Sequence, residues 1–413
     1  MAPSYTSGLR PAWGLASVLI LLGFFSPRAS ARQDRVGVVV HAADAFSRRS
    51  AAYLEHLAGI RWKSEQQVEV LGSEAWTLAP EDPGQERLFA ESLALLETGV
   101  NAYDNLEPDK ALNSLGKGIE KFEKAPFKLL QQRKPYVKAL TYLAASRILK
   151  GDLKGGQDGF RRVLVADPDA QLDKRIFPPG MVSMFEAARR DLVSDPTGML
   201  SVVSSPEHAR VYVGGIFRGV TPCEVDGLPY GRHLVELRKA GHAPWAKVVL
   251  LRSGLDNSVT CRLEGSPDGA RFLQGVAVAS EKIEEGQSLG GELAGMAAST
   301  GLKQVVLGRL SQGSGVLNLR VGLYPVPSGK PVRIYEGRLP AQGAVFAKAV
   351  AAIVSYLLSG REDVLQSNPN LVAAKTGGPI QLHQDEFHDP EDGTPLVKKW
   401  WFWTLIAAGA AAV

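Results

Sequence analysis

Few side chains in this sequence stand at the spacings that chemistry demands. Gly286, Ser288 and Gly290 spell G-x-S-x-G, the pattern that lifts a nucleophilic serine onto a sharp strand-to-helix turn. Such a turn needs a strand running straight into it. Here the charged run Glu281-Lys282-Ile283-Glu284-Glu285 intervenes, so the stretch reads as the start of a helix. Gly275, Gly286, Gly290 and Gly291 invite a phosphate loop, but there is neither a Gly-Lys-Ser/Thr nor a G-x-G-x-x-G after a strand. His41, at the end of a strand-like run, suits a structural histidine better than an active-site one. His383 and His388 flank Asp385 and Glu386, a loose metal site or, given the polar composition around them, a solvated tether. Cys223 and Cys261 lack the paired histidines of a zinc site. The sequence therefore points to no catalytic residue, no metal and no cofactor. An enzyme acting through Ser288 would need a pocket of converging titratable groups around it.

Aromatic residues are the better candidates for recognition. Tyr212, Tyr230 and Trp245 could bind a cell-wall polymer, since each offers an apolar ring with a polar tip. Tyr103, Tyr136 and Tyr142 could anchor a partner segment or simply pack between helices.

The elements that would position these groups are most legible in residues 199–263. Five runs (200–203, 209–213, 233–239, 244–251 and 258–263) alternate apolar and polar residues with a period of two, the mark of half-buried strands. Val211 and Val213 share one face, Arg210 and Tyr212 the other. Gly214-Gly215, Pro229-Tyr230-Gly231, Gly241 and Gly254 supply the turns between runs. With Pro206-Glu207-His208-Ala209, Val211-Tyr212-Val213-Gly214-Gly215, Gly219-Val220-Thr221-Pro222, Leu228-Pro229-Tyr230-Gly231-Arg232-His233 and Lys239-Ala240-Gly241-His242, this stretch resembles a PEGA domain. The resemblance implies a small, non-enzymatic β sandwich of bacterial envelope and surface proteins, with sugar or surface-layer binding. His208 stands where the family's name-giving motif has Gly, so that turn is expected to manage without a free positive-φ position. Both cysteines lie in this module. They form either a disulfide or two buried thiols, and the second is favoured because Cys packs as a small hydrophobe.

Residues 82–196 carry apolar stripes at helical spacing, read as five helices with short Gly or Pro breaks, one of them near residues 128–150. Ala111…Leu115, Ala144…Leu149-Lys150-Gly151-Asp152 and Phe160…Asp167-Pro168 resemble tetratricopeptide repeats, which implies stacked αα-hairpins with a concave surface for partner proteins. Residues 32–81 read as strand–helix–strand, too small to fold alone. Residues 268–361 read as a second α/β piece with strands at 272–279, 305–310, 316–325 and 332–339 and helices at 285–300 and 344–358. Leu302 to Leu310 and Pro327-Ser328-Gly329-Lys330 are similar to the amino-terminal domain of TolB-like and CsgG-like envelope proteins. The two α/β pieces could belong to one domain or to two of the same type.

The ends read as addresses. Residues 1–31 have an apolar run after Arg10 and close on Ala29-Ser30-Ala31, the order of a secretory signal. Residues 362–397 are polar, as in a flexible linker. Residues 398–413 open on Lys398-Lys399 and three tryptophans, then stay apolar, as in an interfacial belt and a membrane segment. The 47 basic and 43 acidic residues leave a net charge of +4, too mild to argue for nucleic acid. The expectation is a multi-domain α+β protein with an αα-hairpin block (82–196), a small all-β PEGA-like sandwich (198–265), an α/β domain (268–361) and a carboxyl-terminal membrane segment. It would be an exported, periplasmic-face, membrane-anchored scaffold that binds envelope proteins or cell-wall polymers.

Overall fold

The computed structural model describes residues 34–373 apart from 77–81, 299, 315, 342 and 370. The candidate signal, the linker beyond residue 373, the His383–His388 site and the hydrophobic tail lie outside the described residues; the first residues of the expected linker carry a short helix and a strand, Asp363–Gln366 and Val372–Ala373. Strand β1 (Arg35–Ala42) is a near-continuous buried run, as expected of a strand covered on both faces. Helix α1 (Arg48–Gln66) buries Ala51, Leu54, Ala58 and Trp62 on one stripe, with Glu55 among them. Strand β2 (Glu69–Gly72) then pairs parallel with β1.

Six helices follow. They are α2 (Pro83–Asp104), α3 (Pro108–Glu123), α4 (Pro126–Gln131), α5 (Lys134–Leu149), α6 (Leu153–Ala166) and α7 (Pro179–Ser194). The single helix expected near residues 128–150 is two, because Pro135 at the start of α5 restarts the chain after Gln132 and Arg133. Asp82 and Asp152 cap α2 and α6 by accepting backbone N–H groups of the first turn. The pairs α2–α3 and α5–α6 form antiparallel hairpins, and α3 packs on α5. One core runs through them, centred on Leu115, Phe122, Leu140, Phe160 and Phe185.

Strands β3 (Thr197–Ser205), β4 (Arg210–Val213), β5 (Ile216–Val220), β6 (Cys223–Pro229), β7 (Gly231–Arg238), β8 (Trp245–Leu251) and β9 (Asn257–Arg262) make two sheets, ordered β6-β3-β9 and β5-β4-β7-β8. Five alternating runs were legible, and β5 and β6 were not, because both are interrupted by glycine and lack clean alternation. Leu200, Val202, Val211, Val213, Val235 and Leu237 fill the space between the sheets. Both cysteines are free. Cys223 on β6 and Cys261 on β9 sit on opposite sides of β3, two strand spacings or about 9–10 Å apart, beyond disulfide reach. Burial pushes the Cys223 thiol up to about 11, so it stays protonated.

The chain continues with α8 (Pro267–Glu284), α9 (Gly290–Ala298), β10 (Gln304–Gln312), β11 (Val316–Pro325), β12 (Arg333–Pro340), α10 (Gly343–Ser359), α11 (Asp363–Gln366) and β13 (Val372–Ala373). The strand expected at 272–279 is part of α8. Phe272, Val276, Ala279 and Ile283 repeat every three or four residues and are buried, and Ser266 caps the helix; a short apolar run does not by itself separate strand from helix. The two α/β pieces form one sheet, ordered β13-β12-β11-β10-β1-β2, with β1 parallel to β10 from Val36↔Gln304 to Ala42↔Leu310. Helices α1 and α10 cover one face, α8 and α9 the other. Among the described residues no helix is long and apolar enough to cross a membrane.

One turn carries visible strain. Leu106 ends α2 with φ +58. Its N–H donates to Tyr103 O at 3.0 Å and that of Glu107 to Ala102 O at 2.9 Å, the Schellman arrangement that favours Gly at this position. The Leu106 side chain is 73% exposed and contributes little in return. Leu106→Gly is expected to raise stability by about 1 kcal/mol, read as a higher midpoint in urea with an unchanged slope.

Candidate functional site

The groups that matter most converge where the β sandwich meets the six-stranded sheet. Val211 and Val213 of β4 point into the sandwich, so Arg210 and Tyr212 emerge on the other face of the β5-β4-β7-β8 sheet. Beside them on β7 lie Arg238, Glu236 and Leu234. Helix α1 covers one end of this outer face. Arg210 is 4% exposed and its Nη2 donates to Glu55 Oε1 at 2.9 Å, to Ser73 Oγ at 3.1 Å and to Glu74 Oε2. Glu55 also accepts the N–H of Val40 at 3.2 Å and that of Ser73. The Val40 N–H is free for this because β2 stops opposite Val38. Burial lifts the Glu55 carboxyl above its ordinary range, with Arg210 pulling the other way. Burial would lower the Arg210 guanidinium, but Glu74 and Glu55 outweigh it and hold it high. Those two directions conflict over whether the pair is comfortable. The donors decide: both Glu55 oxygens are occupied by N–H groups that favour the anion.

An aromatic cluster seals the same seam. His56 of α1 stacks on Phe217 at 3.8 Å between ring centroids, and Tyr212 meets Phe217 edge-on at 5.7 Å. The Arg238 guanidinium lies 5.1 Å from the centre of the Tyr212 ring and forks Glu236 at 2.6 and 3.0 Å. At the other end of the outer face the helical block seats itself. Arg133 Nη2 donates to Gly214 O at 2.7 Å, Arg232 reaches Glu123 at 3.1 Å, and Leu234 and Val248 pack on the helical core.

The expected recognition residues are mostly consumed by this packing. Tyr212 is held in the seam, so it is not a surface platform. Tyr230 and Trp245 pack against the sandwich core, and a Cβ at Gly198 would meet the Tyr230 ring at 2.7 Å. Tyr103 and Tyr136 are buried in the helical core. Tyr103 OH faces Met181 Sδ at 3.8 Å, and Tyr136 OH donates to Glu123 Oε1 at 2.9 Å. Tyr142 packs edge-on against Tyr103 and Phe177. Ser288 sits in the α8–α9 loop with its Oγ donating to Gly329 O at 3.3 Å, and no strand feeds that turn. Among the described residues no group of His, Cys, Asp and Glu is arranged to hold a metal.

What the sequence did not single out is a cavity of about 310 Å³ beside the Arg210 cluster. His41, at the carboxyl end of β1, and Arg48 of α1 line one side. His208, Lys239 and His242 of the sandwich line another, and Leu273 and Val276 of α8 close it. Burial lowers the His41 pKa, helped by Arg309 and opposed by Glu281. His208 is lowered by burial, then by Lys239. Contrary to expectation, His208 keeps the left-handed conformation of the glycine it replaces, with φ +66. Its N–H donates to Thr221 O at 3.0 Å, which holds the turn closed.

Residues 197–267 match the family model of the PEGA domain. No curated protein and no solved structure matches the chain. Two outcomes follow from the seam. Arg210→Met leaves Glu55 buried with its charge unanswered, and should cost about 3–5 kcal/mol in urea unfolding. His56 has its pKa lowered to about 3 by burial and by Arg210. The unfolded chain takes up that proton below about pH 6.5 while the folded chain does not, so stability should fall as pH drops from 6.5 toward 3. The fall contributed by His56 is up to about 1.4 kcal/mol per pH unit. His56→Phe keeps a ring on Phe217 and should flatten that slope between pH 6.5 and 4.5. Strands β3–β9 thus constitute a PEGA domain, clamped on one sheet face by both of its neighbours.

Proposed function

We propose that the protein is a non-enzymatic scaffold, exported and held at the periplasmic face of the envelope, that engages partner proteins or cell-surface polymers. The observation that carries this reading is the PEGA domain at residues 197–267, set between a block of αα-hairpins and an α/β sheet. Tyr212 is held in the seam and Tyr230 and Trp245 are half-buried against the sandwich core, so engagement extends to other surfaces. The helical block offers one. Leu106 in the α2–α3 turn, Leu153 at the start of α6 and Val193 near the end of α7 are 73%, 58% and 85% exposed. They occupy the same edge of the stack. Lys150 bridges the two hairpin turns to Asp109 at 2.5 Å, and Gln157 of α6 reaches Asp191 of α7 at 3.3 Å. Exposed apolar residues gathered on one edge are characteristic of protein-binding surfaces. Membrane attachment would come from residues 398–413, and export from residues 1–31.

In envelope fractionation the chain is expected with the membranes, lacking residues 1–31 and released by detergent. A photo-cross-linker at position 153 should capture a defined envelope protein, and Leu153→Asp with Val193→Asp should reduce capture about tenfold or more, in line with the loss of 1–3 kcal/mol for apolar anchors. Recovery from the cytosol with residues 1–31 still attached would contradict the reading.

A further inference from the structure

We propose that the cavity between the PEGA domain and the carboxyl end of β1 binds a small molecule bearing a phosphate group. The inference goes beyond the scaffold reading and does not depend on it. It begins from position. In the six-stranded sheet, β1 lies between β2 and β10, parallel to both. The chain leaves β1 into α1 on one face, while α8 and α9 cover the other. A crevice outside the carboxyl ends of the strands is where open α/β sheets hold ligands. The cavity opens at that place, with His41 and Ala42 at its edge. The PEGA domain closes the crevice from above.

Charge supplies the second argument. Four cationic side chains reach the cavity: Arg48, Arg210, Arg238 and Lys239. Arg210 is answered by Glu55 and Glu74, and Arg238 by Glu236. Glu55 borders the cavity, but its oxygens are taken by Arg210, Val40 and Ser73. No carboxylate among the described residues pairs with Arg48 or Lys239. Lys239 is half-buried, and burying an ammonium without a counter-charge is costly. Burial, then Arg48 and Arg210, push its pKa down to about 8, which is how a lysine responds when an anion is missing from its surroundings. His41 and His208 add ring nitrogens at the rim.

The shape supplies the third. About 310 Å³ is the lower end of ordinary small-molecule sites. Ala52, Leu273 and Val276 give the cavity apolar surface beside the cations. Two unanswered cations with donor imidazoles beside them suit a dianion, and Arg in particular suits phosphate oxygens. A phosphate monoester with a compact apolar body satisfies both the cations and the apolar surface.

The test uses the purified full chain in detergent, with phenyl phosphate, inorganic phosphate and benzoate as probes at constant ionic strength. Phenyl phosphate should bind in calorimetry with a Kd below about 1 mM, inorganic phosphate more weakly, and benzoate at least about tenfold more weakly than phenyl phosphate. Lys239→Gln and Arg48→Gln should each weaken phenyl phosphate about tenfold or more, while Arg271→Gln, on an exposed stretch of α8, should not. Arg48 is exposed, so its variant folds even if Lys239→Gln does not. In an independent readout, acetylation of Lys239 at pH 8 should be slowed by phenyl phosphate. Binding no different from matched chloride, binding unchanged in both variants, or benzoate binding as tightly as phenyl phosphate would each overturn the proposal.

Discussion

Arg210 sets the arrangement of the described chain. A guanidinium taken out of water needs a full set of acceptors, and no strand of the PEGA domain supplies them. They come from α1 and the turn after β2: Glu55, Ser73 and Glu74. For Glu55 to reach Arg210, α1 must lie across β4 and β5 with its buried stripe turned toward the sandwich as well as toward β1. The same carboxylate also takes the Val40 N–H that the short β2 leaves unpaired. One ion cluster thereby fixes the sandwich, the helix and the central strand relative to each other. His56, Phe217 and Tyr212 fill the space beside it, so the charges are shielded by rings rather than by solvent.

The consequence for function is a change in which surfaces remain free. A sandwich sheet normally keeps one face for water or for a ligand. Here the outer face of the β5-β4-β7-β8 sheet is covered at one end by α1 and at the other by the helical block through Arg133, Leu234 and Val248. The surfaces left open include the edge of the helical stack and the seam itself, where the cavity collects cations that the Arg210 cluster does not neutralise. The fold leaves these sites at boundaries between modules, consistent with the rule that function resides in sites and not in architectures.

Much of this was legible in the residues. Period-two alternation marked most PEGA strands, and helical stripes marked the αα-hairpins, because both signals are local. The parallel pairing of β1 with β10 was not legible. The strands are separated by the whole helical block and sandwich, and a buried apolar run does not name its partner. The misreading of residues 272–279 as a strand has a related cause: a short apolar run does not by itself separate strand from helix, even though Phe272, Val276 and Ala279 keep helical spacing. Arg210 was visible as the polar side of an alternating strand, which ordinarily means solvent. The clue lay elsewhere, in Glu55, a carboxylate between Leu54 and Ala58 on the apolar stripe of α1. A charge in that position needs a buried counter-charge, and the sandwich provides it. Of the six tyrosine and tryptophan candidates, Tyr212 is taken up in the seam, Tyr103, Tyr136 and Tyr142 lie in the helical core, and Tyr230 and Trp245 are half-buried against the sandwich core, because large rings fill gaps as readily as they cover ligands.

The most direct test of the Arg210 clamp is a double-mutant cycle between Arg210→Met and Glu55→Gln, read by urea unfolding of the full chain. If the pair joins the PEGA domain to the α/β sheet, the two substitutions should be strongly non-additive, with a coupling of about 2 kcal/mol or more. Substitutions that add to within about 0.5 kcal/mol would mean that the two residues act independently and that the seam is held by something else.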